Sequence, residues 1–140
     1  MAPVHFHSEH PDFQFDRQDE ISDWIRLTCR EENVKIEQLD FIFCTDNDLL
    51  EINIKHLNHS YLTDVITFPY SEGEIIAGDI FISIDRVKDN AKDLNVEWFD
   101  EFCRVMVHGV LHLCGYADKN AEQQAEMRSK EDYYLSLRSF

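Results

Sequence analysis

The sequence predicts an α+β fold: a small mixed β-sheet of about four strands packed with helices, one of which is buried at the centre. Three observations predict it. Short segments rich in β-branched and aromatic residues are separated by amphipathic stretches of helical period. The strands do not alternate regularly with helices as in a doubly wound sheet. Residues 98–114 are apolar nearly all round, which marks an enclosed helix.

In chain order, Val4 and Phe6 alternate with His5 and His7, the two-residue period of an edge strand. Asp16 is a capping residue for a helix from residue 17 to about 33, with Ile21, Trp24, Ile25 and Thr28 on one face. Leu39, Phe41 and Phe43 alternate with Asp40 and Ile42 and predict a second strand. Thr45 or Asp46 opens a helix with Leu50, Ile54 and Leu57 on one stripe, ending near Asn58. Residues 64–68 and 79–84 read as two further strands, with a turn at Ser71, Glu72 and Gly73 between them. Asp85 opens a short helix to Leu94, and Asn95 with Glu97 opens the long apolar one, which contains Phe99, Phe102, Met106, Val110 and Leu113. A last amphipathic helix covers residues 120–137.

The 140 residues fit one domain, 1–140, and four glycines and three prolines leave no linker or low-complexity tract. Cys29, Cys44, Cys103 and Cys114 form no C-x-x-C pair, and the N-terminus lacks the basic and apolar regions of a signal peptide, so free thiols and a cytoplasmic location are expected. No apolar run approaches the roughly 18 residues of a membrane span. The net charge of -15 disfavours broad electrostatic binding of nucleic acid. The acidity is uneven, however: the first hundred residues carry 8 basic and 22 acidic side chains, the last forty 5 and 6.

That nearly neutral segment holds the chemistry. His108 and His112 are four residues apart, so on a helix their Cβ atoms lie about 5–6 Å from each other on one face. Gly115 lets the helix stop, and the three residues to Asp118 suffice to return a carboxylate over the same face. Two histidines, one carboxylate and an open position form the ligand pattern of a catalytic metal site.

Two core histidines bonded to neighbours are the simpler alternative. A buried helix has already used its backbone donors and acceptors, so adjacent unpartnered imidazoles there would cost on the order of a few kcal/mol, a cost that an ion removes. For Asp118 the plain alternative is a solvated turn residue. The offset from His112 to Asp118, with Gly115 in register, matches the third ligand of the H-E-x-x-H-x-x-G-x-x-H metallopeptidases, so the core helix is zincin-like. Gly109 stands where those enzymes carry their general-base glutamate, which argues against a peptidase.

His108-Gly109-Val110-Leu111-His112-Leu113-Cys114-Gly115-Tyr116 resembles the signature of the YbeY family of bacterial endoribonucleases and ribosomal RNA maturation factors, which runs H-G-x-L-H-L-x-G-Y-D-H. Leu57-Asn58 followed by Thr63-Asp64-Val65-Ile66-Thr67-Phe68-Pro69 resembles the family's second block, and Gly78-Asp79-Ile80 its third. The resemblance, covering roughly residues 45–120, implies one zinc ion, a small mixed sheet and processing of small-subunit (16S) ribosomal RNA at its 3′ end by single-strand-specific cleavage. It implies the small ribosomal subunit and its RNA as partners, and ribosome-associated proteins beside them.

The chain departs from that pattern twice. Ala117 and Asp118 stand at the family's aspartate and third histidine, so the implied metal ligands are the altered set His108, His112 and Asp118. An anionic ligand lowers the charge of the site and its attraction for a phosphate diester. Between Asn58 and Thr63, where the family has a longer loop with an arginine, the chain has only His59, Ser60, Tyr61 and Leu62. His59 is read as an exposed loop histidine, and Asp64 and Asp79 as turn-capping residues at strand starts, so no general base is assigned. The rival readings are a noncatalytic, metal-stabilised ribosome-assembly factor and a metal-dependent hydrolase of another substrate.

Overall fold

The computed structural model describes residues 4–140. Four strands, β1 (Val4–Ser8), β2 (Lys35–Cys44), β3 (Val65–Pro69) and β4 (Ile75–Ser83), are interleaved with five helices, α1 (Gln18–Glu31), α2 (Asp46–Leu57), α3 (Ile84–Leu94), α4 (Trp98–Leu113) and α5 (Ala121–Ser136). The strands form one mixed sheet in the order β1-β2-β4-β3. β1, β2 and β4 run parallel, and β3 lies antiparallel along β4. The expected α+β class with four strands is what the chain adopts. A parallel neighbour requires a crossover, and α1 supplies the one between β1 and β2. β3 and β4 are joined by the expected turn, in which Gly73 adopts φ +76°.

Alternation along the strands decides which helix covers which face. Leu39, Phe41 and Phe43 of β2, with Ile80 and Ile82 of β4, enter the main core under α1 and α4. Phe102, Cys103, Met106, Val107, Val110 and Leu111 of α4 are fully buried there, so this is the enclosed helix that its composition predicts. Ile66 and Phe81, paired across β3 and β4, point to the opposite face and pack with Cys44, Leu49 and Ile52 under α2. Among the described residues no helix is long and apolar enough to cross a membrane.

Several local expectations are corrected. The residue flanking α1 is Arg17 rather than Asp16, and it makes no side-chain capping bond. α2 is capped by Thr45, whose hydroxyl accepts from the Asp48 backbone N–H while the Asp48 carboxylate accepts from that of Thr45. Its inward face carries Leu49 and Asn53, one residue out of step with the expected stripe, and Ile54 and Leu57 remain 49% and 41% exposed. Asn53 takes the buried place because its amide donates to the Tyr61 carbonyl, 2.9 Å away, and so ties down the following loop. Ser83, not Asp85, caps α3 by accepting from the Arg86 N–H. Asn95 ends α3 in the left-handed conformation instead of starting α4, and Glu97 precedes α4 without a capping bond. Neighbouring polar residues could have served each end, and the backbone path selects among them.

Candidate metal centre

α4 presents His108 and His112 on its one solvent-facing stripe, with their Nε2 atoms 3.0 Å apart. The chain then reverses in a Schellman turn: the Gly115 N–H donates to the His112 carbonyl at 3.0 Å and the Tyr116 N–H to the Leu111 carbonyl at 3.1 Å. Gly115 has φ +108° with open space around it, so the need for glycine is conformational rather than steric. The reversal carries Asp118 Oδ2 to 3.3 Å from both Nε2 atoms. All three residues expected from the spacing therefore meet at one point, and they form a group that could hold a metal ion.

The chemistry of the donors fits a cation. The Tyr116 carbonyl, 2.9 Å from His112 Nδ1, can only accept, so Nδ1 carries the proton. Glu131 Oε2 lies 2.6 Å from His108 Nδ1 and likewise accepts a hydrogen bond from it. With Nδ1 donating on each ring, the uncharged form of the pair turns bare Nε2 lone pairs toward each other and toward a carboxylate oxygen. Three acceptors facing one another repel unless a positive charge, a proton on His108 or a metal ion, lies among them. Donors about 2.0–2.1 Å from a tetrahedral ion are separated by roughly 3.3–3.4 Å, close to what the side chains already adopt.

Two networks hold the triad. Glu131, buried on α5, also accepts from Arg104 Nη1 at 2.9 Å, and Arg104 Nη2 reaches Asp132 at 2.7 Å. Burial works against a charged His108, but the hydrogen bond and charge of Glu131, with Asp118 and Asp64 beyond, outweigh it and raise its pKa above the ordinary imidazole value. On the other side the Tyr116 hydroxyl donates to Glu32 at 2.6 Å, and Tyr134 and Lys130 donate to the same carboxylate. Burial opposes the charge of Glu32, yet these three donors hold its pKa below the usual carboxylate range. The carbonyl that orients His112 is thus anchored to the end of α1.

Gly109 has a steric reason. A Cβ there would lie 2.8 Å from Ile80 Cγ2, because α4 presses directly on β4 at this point. Position 109 faces Ile80 and Thr67 of the sheet, so any side chain there would meet these residues from its Cβ onward.

The triad lies between two hollows of about 310 and 490 Å³, each within the roughly 300–1,000 Å³ of small-molecule sites. His108, Asp118, Asp64 and Val65 line both. Asp64, expected only as a turn residue, accepts from Asn90 Nδ2 at 3.1 Å, and burial raises its pKa. His59 is exposed as expected, but it stacks on Tyr61 in the wall of the smaller hollow. Asp79 lies away from the site, where it accepts from the Tyr70 hydroxyl at 2.6 Å. Glu131, Arg104 and Arg128 were not anticipated: on an amphipathic helix or among apolar neighbours they carry no local signal of a site.

A buried helix that sets two histidines against a returning aspartate, on a mixed four-stranded sheet, defines a class of α+β proteins with a potential metal site at the helix end. Within that class the chain belongs to the YbeY family, whose model, described as endoribonuclease YbeY, matches residues 4–138. It is 49% identical over 126 residues to the endoribonuclease YbeY of Flavobacterium psychrophilum, covering 90% of each chain. It is 46% identical over 138 residues to that of Cytophaga hutchinsonii, covering 98% of this chain and 96% of the relative. A Thermotoga maritima protein solved in solution shares the fold, with a TM-score of 0.70 at 22% identity over 95% of this chain and 87% of that one.

Proposed function

We propose that the protein is a metal-dependent, single-strand-specific endoribonuclease, with one zinc ion per chain, that acts in the cytoplasm on the 3′ end of 16S ribosomal RNA during small-subunit maturation. Residues 1–140 form its one hydrolase domain. The observation that carries this reading is the convergence of His108 Nε2, His112 Nε2 and Asp118 Oδ2 within 3.3 Å of one another at the meeting point of two open hollows. The relatives named endoribonuclease supply the substrate class.

His108, His112 and Asp118 would hold the ion. Bound there, it would polarise a phosphate oxygen and make water more acidic. Glu131 and the Tyr116 carbonyl keep both rings in the tautomer that leaves Nε2 bare. Asp118 is 40% exposed, so the group is reached from solvent on that side. A peptidase is disfavoured because its general-base glutamate has no room at position 109.

The test is cleavage of a single-stranded RNA spanning the 16S precursor 3′ end, beside the same sequence in a duplex. Cleavage of the single strand only, lost with a chelator and restored by zinc ahead of iron(II), nickel or manganese, is expected. Protein that holds its metal and leaves the RNA intact would replace the nuclease by a noncatalytic assembly factor.

A further inference from the structure

Resting on the RNA reading above, we infer that the substrate strand crosses the triad from Tyr61 to Arg128, with a base stacked on Tyr61 at one end and a backbone phosphate held by Arg128 at the other.

The two hollows differ in chemistry. No lysine or arginine lines the smaller one, and its outer wall is the stacked pair of His59 and Tyr61, with ring centroids 5.1 Å apart and planes 21° from parallel. Tyr61 is 57% exposed, while its backbone is held by the buried Asn53 amide, so a presented aromatic face stands on a fixed loop. Such a face accepts any base by stacking.

The larger hollow contains two cations among the described residues, Arg104 and Arg128. Arg104 is committed to Glu131 and Asp132. Arg128 is exposed on α5; it makes no direct hydrogen bond or close ion pair with a described residue, and its charge acts only at a distance on Glu101. Asp64, Glu101, Asp118 and Glu131 line the same hollow, so a phosphate entering it meets repulsion except at Arg128. An unpaired guanidinium offers the bidentate geometry that a phosphate accepts. Because the chain carries a net charge of -15, a single contact of this kind has no general positive field to mask it.

The experiment measures kcat and KM on a single-stranded RNA across a salt series, using the zinc-loaded full-length chain. Arg128→Ala is expected to raise KM with kcat little changed, and to lower the slope of log kcat/KM against log salt by about 0.7, the loss of one single-strand phosphate contact. Arg128→Lys keeps most of that slope. Tyr61→Ala is expected to raise KM by about 5- to 150-fold with the salt slope unchanged, and Tyr61→Phe to restore it. Metal content and thermal midpoint stay at wild-type values in all four. A wild-type KM and salt slope in Arg128→Ala, or a wild-type KM in Tyr61→Ala, would overturn the strand path while leaving the nuclease intact. A wild-type protein that cleaves no RNA would instead remove the reading beneath it.

Discussion

Glu131 Oε2 lies 2.6 Å from His108 Nδ1, across the interface between α5 and α4 and 23 residues further along the chain. A buried carboxylate in that position fixes both the orientation and the tautomer of the ring, and it makes Nε2 a stronger donor to a cation. Replacing such a partner of a metal-binding histidine commonly costs about 10- to 100-fold in metal affinity. Glu131→Gln keeps the shape and removes the charge, so zinc competition against a chromophoric chelator is expected to show a loss in that range. Unchanged affinity would mean that Glu131 only joins α5 to α4.

The same pair makes the metal-free protein sensitive to pH. The folded pKa of His108 is raised, since Glu131, Asp118 and Asp64 outweigh the opposing effect of burial. A group raised on folding contributes stability that is fully present below its unfolded value, near 6.5, and is lost as pH rises through the folded pKa. With the metal chelated, the difference in thermal midpoint between wild type and His108→Gln is expected to shrink as pH is raised from about 6 through the shifted value. A difference that grew with pH would contradict the assignment. Zinc affinity should follow the opposite course and rise with pH, because binding requires Nε2 bare.

Gly109 sets how closely α4 packs on β4. Its missing Cβ lets α4 approach within van der Waals contact of Ile80 and, more loosely, Thr67. An alanine in a helix ordinarily gains about 1 kcal/mol over glycine. Here the methyl would press on a β-branched side chain in a dense core, an overpacking cost of typically 1–3 kcal/mol. Gly109→Ala is therefore expected to lower stability by about 1 kcal/mol in urea titration rather than raise it. A clear stabilisation would place α4 further from β4 than described.

How much of this was legible in the sequence depended on distance along the chain. His108, His112, Gly115 and Asp118 lie within eleven residues, and helix periodicity plus one turn brings them together without further folding information. The strands were legible for the same reason, since alternation at residues 39–43 already selects a buried face. Glu131 was not legible, because nothing on α5 distinguishes it from the acidic residues beside it until α5 packs on α4. The apolar stripe on α2 misleads because Asn53, a polar residue, takes an inward position to bind the loop carbonyl of Tyr61. The caps of α1, α3 and α4 shifted by one or two residues where several polar side chains stood together. Parallel pairing of β1, β2 and β4 follows from tertiary packing, which no local pattern records.

The central claim is that His108, His112 and Asp118 bind one ion together. Elemental analysis of the purified wild-type chain beside His112→Ala and Asp118→Ala tests it most directly. Close to one zinc per wild-type chain and a near-complete loss in both variants are expected, with their circular dichroism unchanged. Equal metal content in all three proteins would contradict it.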